Sequence, residues 1–134
     1  MYSTSLLTGR RRFITDNGRG KAIILDLPAA SGGTDQGPTP YELLAMALSG
    51  CVGVIFREIA ENSKVSLDHL NVEVECKAPE GEKIFTSATI DVEVVSTADE
   101  GLLKRILEKT VTSCPVGVFF RKAGIKLIER LIIK

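Results

Sequence analysis

From Leu43 to Phe56 nearly every position is apolar or small, so the stretch offers no polar face to water. A helix with that pattern has to be enclosed on all sides. Its start is marked by Thr39 at the N-cap position, Pro40 at the first helical position and Glu42 three residues after the threonine, a capping-box pattern. The stretch from Thr39 to Glu61 therefore predicts a core helix with Cys51 in its middle. Its run of 14 apolar or small positions falls short of the roughly 20 that cross a bilayer, and its flanks are charged, so no membrane is expected.

Elsewhere the period changes to two. Val72, Val74 and Cys76 alternate with Glu73, Glu75 and Lys77, which predicts a half-buried strand from Leu70 to Lys77. Pro79 to Lys83 turns the chain into a second alternating strand, Thr86 to Ser96, with Ala88, Ile90, Val92 and Val94 on one face. The two predict an antiparallel hairpin with one wet side. Upstream, Arg10 to Thr15 and Lys21 to Leu27 are strand candidates joined across Asn17-Gly18, a hairpin signal, and Pro28 to Pro38 carries too many glycines and prolines for regular structure. Downstream, Thr97-Ala98-Asp99-Glu100 repeats the capping pattern before Leu102, Leu103, Ile106 and Leu107, predicting an amphipathic helix from 98 to about 111. Ser113-Cys114-Pro115 leads into a short helix, Val116 to Lys122, closed by Gly124, and Ile125 to Ile133 reads as a last strand. The fold class is α+β, in one domain spanning 1–134.

One internal echo crosses these elements. Val52-Gly53-Val54-Ile55-Phe56-Arg57 returns as Val116-Gly117-Val118-Phe119-Phe120-Arg121, each copy closely following a cysteine. Two core helices crossing at Gly53 and Gly117 would account for it, as would chance. A crossing that brings Cys51 and Cys114 together is the sharper alternative, and pattern alone does not separate buried thiols from reactive ones.

Composition narrows the chemistry. Seventeen basic and seventeen acidic side chains cancel, which removes the electrostatic footprint of a nucleic-acid binder. The N-terminus lacks a charged segment followed by a long apolar run, so a cytoplasmic setting with reduced thiols is expected. Cys51, Cys76, Cys114 and the single His69 are scattered, with no C-x-x-C pair, and neither a metal site nor a cofactor is expected.

Cys51 lies too far from its helix N-terminus to be acidified by it and has no histidine neighbour, so activation would need an arginine; without one it is apolar filler. Cys114, at a helix cap, reads as the more acidic thiol, and Cys76 as core packing. Arg10, Arg11 and Arg12 fit a solvated strand edge, with Arg10 and Arg12 sharing a face and Arg11 on the other. Glu42 is already explained by its cap, and Tyr41 and His69 carry no usable pattern.

Gly37-Pro38-Thr39-Pro40-Tyr41-Glu42-Leu43-Leu44 followed by Ser49-Gly50-Cys51, with Ser113-Cys114-Pro115 further on, resembles the OsmC/Ohr family of thiol peroxidases. The resemblance implies an intertwined homodimer with central cysteine-bearing helices, antiparallel sheets outside and a site at the subunit interface. It further implies that Cys51 attacks an organic peroxide, becomes a sulfenic acid and condenses with Cys114 to a disulfide that an external dithiol reduces. Leu44, Leu48, Phe119 and Phe120 are the candidates to line an apolar substrate pocket. In the family an arginine and a glutamate hold the thiolate, the glutamate directly after the helix-starting proline. Tyr41 stands at that place here, with Glu42 one residue and about 100° further round the helix. Gly9-Arg10 best fits the family arginine, with Arg12 as rival. The alternative is a non-enzymatic module of the same fold, binding a small hydrophobic or electrophilic ligand at the dimer interface, for which Tyr41 speaks.

Overall fold

The computed structural model describes residues 1–134. The chain divides into two compact units, Met1–Leu44 and Ala45–Lys134.

In the first unit, β1 (Thr4–Leu7), β2 (Phe13–Asp16) and β3 (Ala22–Leu25) form an antiparallel sheet in that order. The expected Asn-Gly hairpin joins β2 to β3: Asn17 N–H donates to the Lys21 carbonyl at 3.2 Å, and Asn17 Oδ1 accepts the Arg19 N–H at 2.9 Å. Gly18 and Gly20 take φ of +77° and +70°, open to glycine without cost. Two features depart from expectation. A strand not anticipated, β1, pairs with β2, and β2 begins only at Phe13, so Arg10, Arg11 and Arg12 occupy the turn between them and have no alternating faces.

The 28–38 loop contains a short 3-10 turn, Ala29–Ser31, and hangs on Asp26, which is 1% exposed. One carboxylate oxygen accepts the Thr34 hydroxyl at 2.6 Å and the Thr34 and Gln36 N–H groups at 3.1 and 3.3 Å. The other accepts the Leu27 N–H at 2.8 Å. The Thr34 hydroxyl, with these amides, holds the Asp26 carboxyl below its ordinary pKa against the opposing effect of burial. Close backbone approach also demands glycine: a Cβ on Gly33 would stand 1.8 Å from the Leu27 carbonyl oxygen, and one on Gly37 2.2 Å from that of Ile24.

Helix α1 (Pro40–Asn62) starts in this unit, where the predicted capping box forms. Glu42 N–H donates to Thr39 Oγ1 at 3.0 Å and Thr39 N–H to Glu42 Oε2 at 2.8 Å, satisfying two otherwise unpaired donors.

The second unit contains the rest of α1, β4 (His69–Lys77), β5 (Ser87–Val95), α2 (Glu100–Ser113), α3 (Pro115–Lys122) and β6 (Lys126–Ile133). Strand β4 pairs antiparallel with β5, as its alternation predicts. The sheet is mixed, however, because β6 lies parallel to β5. A parallel neighbour requires a crossover, and α2 and α3 supply it. Helix α2 is capped by Asp99, whose Oδ1 accepts the Leu102 N–H at 3.1 Å, so the cap falls two residues after Thr97.

Leu48, Val52, Phe56 and Ala60, four apart along α1, are wholly buried with Ala88, Ile90, Val92 and Val94 of β5 and Leu103 and Ile106 of α2. That face alone is enclosed. Val54 is 69% and Met46 48% exposed, so the expectation of a helix surrounded on all sides does not hold within one chain. At 23 residues, with a mean hydropathy of 1.8 over its most apolar stretch, α1 is by length and composition able to cross a bilayer. Its wholly buried stripe against β5 and α2 is the packing of a core helix.

Candidate functional site

Cys114 lies between two helices, as the C-cap of α2 and the N-cap of α3. Its N–H donates to the Thr110 carbonyl at 2.9 Å, ending α2, and its sulfur accepts the Gly117 N–H at 3.3 Å, opening α3. Pro115 dictates the break, since a residue before proline is driven to extended geometry; Cys114 has φ −67° and ψ 112°. The elbow turns the Cys114 sulfur inward, fully buried, to 2.6 Å from the sulfur of half-buried Cys51 on α1.

The two cysteines that precede the echoed sequences therefore meet. The glycines do not bring them together. A Cβ on Gly53 would lie 3.7 Å from Val72 Cγ2 and one on Gly117 3.6 Å from Cys114 Sγ, ordinary contact distances.

The acidity expected of Cys114 is reversed. Burial, followed by its hydrogen bond with Cys51, pushes the thiol up to about 11, and the Gly117 N–H opposes this only in part. A cap acidifies a sulfur that water also reaches; this one is enclosed. Burial also raises Cys76, which pairs with Ala88 across β4 and β5, in keeping with a packing role.

The three early arginines differ in commitment. Arg11 Nη1 donates to the Ser31 carbonyl at 2.5 Å. Arg12 Nη1 donates to Gln36 Oε1, and its Nη2 to the Thr8 carbonyl at 3.2 Å. Arg10 makes neither hydrogen bond nor ion pair. It borders an open cleft of about 810 Å³ in the first unit, lined by Leu7, Phe13, Leu25 and Leu27. Glu42 serves the α1 cap. In the second unit Arg57 holds Glu61, Arg121 holds Glu129 and Arg130 holds Asp91; none donates to a cysteine sulfur.

Of the four proposed pocket residues, Leu48 and Phe120 are core. Phe120 stacks on Phe85 with ring centres 6.4 Å apart. Leu44 and Phe119 are exposed, Phe119 by 75%. Sequence reasoning missed the Asp26 cluster, although an aspartate ahead of a Ser/Thr/Gly-rich loop is a signal for side-chain capture of loop amides. It also missed Arg121 with Glu129, which no local spacing announces.

The family model described as OsmC-like protein matches residues 33–130. No curated protein sequence matches. Among solved structures, the OsmC-like protein of Mycoplasma pneumoniae superposes with a TM-score of 0.85 at 16% identity, over 98% of this chain and 95% of that one. An organic hydroperoxide resistance protein from Elizabethkingia anophelis gives 0.77 at 16%, over 98% and 94%. One from Legionella pneumophila gives 0.70 at 17%, over 98% and 97%.

Proposed function

We propose that this chain, which belongs to the OsmC-like family, is a cysteine-based peroxidase that reduces organic hydroperoxides. The observation that carries the reading is the 2.6 Å between the sulfurs of Cys51 and Cys114. A disulfide bond is about 2.05 Å long, so closing it asks for only a small approach of the sulfurs.

The Cys51 thiolate attacks one peroxide oxygen and the O–O bond breaks. The departing alkoxide takes a proton and leaves as alcohol, and Cys51 is left as a sulfenic acid. Cys114, as thiolate, then attacks the Cys51 sulfur; the S–O bond breaks and hydroxide leaves as water with the proton given up by Cys114. The resulting disulfide is reduced by an external dithiol, which supplies the two electrons of the cycle. A waiting second thiol protects the sulfenic acid from further oxidation.

Of the two arginines considered for the Cys51 thiolate, Arg10 has an uncommitted guanidinium, whereas Arg12 is engaged by Gln36 and Thr8. Arg10 is therefore the candidate retained for that role on the family resemblance, while Glu42 serves the helix cap. The working form is a homodimer in which a second copy covers the apolar side of α1 marked by Met46 and Val54. The chain acts as a single functional domain in a reducing, cytoplasmic setting.

The test is consumption of cumene hydroperoxide with a dithiol as reductant. Turnover that disappears in Cys51→Ser supports the reading. Absence of turnover in the wild type, with Cys51 inert to iodoacetamide in the native state, overturns it.

A further inference from the structure

Pro115 leaves a gap in α2. In a continuous helix the Val111 carbonyl would accept the N–H of residue 115, but proline has none. The structure fills that gap from outside. Arg121, in the last turn of α3, donates Nη1 to the Val111 carbonyl at 2.6 Å, and its Nη2 donates to Glu129 Oε1 of β6 at 2.8 Å. One planar guanidinium thus joins the end of α2, the end of α3 and the neighbouring strand, a bidentate arrangement that suits arginine and not lysine.

The clamp encloses the elbow that carries Cys114. The Cys114 sulfur is anchored on α3 by the Gly117 N–H at 3.3 Å, while its backbone closes α2. The angle between the two helices at Pro115 therefore sets where that sulfur stands relative to Cys51. Loss of the clamp frees the angle without touching either sulfur.

We propose that Arg121, held by Glu129, is a positioning residue that keeps Cys114 in bonding range of Cys51. The inference rests on the reading of Cys114 as the resolving thiol. It assigns a purpose to the arginine that ends the second copy of the echoed sequence; its counterpart, Arg57, makes only an exposed pair with Glu61 in its own helix.

The experiment is a redox titration of the full chain against glutathione, which measures how strongly the Cys51–Cys114 disulfide is favoured: the dithiol protein and oxidised glutathione exchange for the disulfide protein and two reduced glutathiones. Because an unclamped elbow must be re-ordered before the disulfide can close, the equilibrium constant should fall about tenfold in Arg121→Gln. Glu129→Ala should lower it in the same direction by less, and Arg121→Lys should not restore it. Iodoacetamide reactivity of Cys51, read in a Cys114→Ser background, should not change with Arg121→Gln, which separates positioning from general loosening. A folded Arg121→Gln protein with the wild-type constant overturns the proposal. Should Arg121→Gln fail to fold, Glu129→Ala decides, and a wild-type constant there overturns it equally. Hydroperoxide consumption by the wild type is read separately, so that a failed peroxidase reading is distinguished from a failed clamp.

Discussion

Cys51 and Cys114, 63 residues apart in sequence, place their sulfurs 2.6 Å apart, and the second of them caps a helix with the same sulfur. The two roles are compatible because a helix cap requires only that the sulfur accept a hydrogen bond, while the opposite side of the atom faces α1. The contact makes the order of events at the two thiols testable.

If Cys51 attacks and Cys114 resolves, Cys114→Ser should react once with hydroperoxide and then stall. Cys51 should accumulate as sulfenic acid and, with excess peroxide, as sulfinic acid. Mass spectrometry of the intact chain should show one and then two added oxygens on Cys51. The wild type should instead lose two hydrogens as the disulfide forms.

The elevated pKa of Cys114 gives a pH dependence with a definite sign. The native thiol keeps its proton up to about 11, whereas the unfolded one releases it near 9.0. The native state therefore binds more protons in between, so the stability due to this group is whole below about 9 and is lost as pH climbs toward 11. Urea midpoints should fall over that interval in the wild type and fall less in Cys114→Ala, with half-buried Cys76 contributing in the same direction. The rate of disulfide closure should likewise rise with pH, because only the thiolate attacks.

The Asp26 cluster predicts that the 28–38 loop is rigid and that its rigidity depends on acid. A carboxyl held below its ordinary pKa stabilises at pH above the unfolded value and ceases to do so as pH falls through the folded one. Hydrogen exchange at the Thr34 and Gln36 amides should accelerate in Asp26→Ala at neutral pH, and in the wild type once pH falls far enough to protonate the depressed carboxyl. Gly37→Ala, which sets a methyl 2.2 Å from the Ile24 carbonyl oxygen, should cost on the order of 2 kcal/mol in urea unfolding.

The exposed side of α1 predicts association. Val54 is 69% exposed in the single chain, and a second copy covering it would bury apolar surface in proportion to the area covered. Val54→Asp should move the sedimentation coefficient from dimer to monomer and leave the circular dichroism of the chain unchanged.

Regular periodicity made much of the second unit legible. β4 and β5 announce themselves by strict alternation, and α1 by its cap and its apolar run, because both signals are local. The parallel seat of β6 was not legible, since nothing in Lys126 to Ile133 says which neighbour it takes. Strand β1 escaped because Thr4 to Leu7 is short and does not alternate; its four residues are exposed and held by pairing with β2. At the candidate site, the Cys-Pro elbow could be read from Pro115, but the acidity of Cys114 could not. A cap is a local property, whereas enclosure is set by every element packed around the sulfur.

The shared atom at the elbow also gives the molecule a built-in reporter. Tying the Cys114 sulfur to a second sulfur would change the acceptor that the Gly117 N–H uses to open α3. If the two thiols cycle, the change should reach the backbone there, and the Gly117 amide resonance is where it should be read.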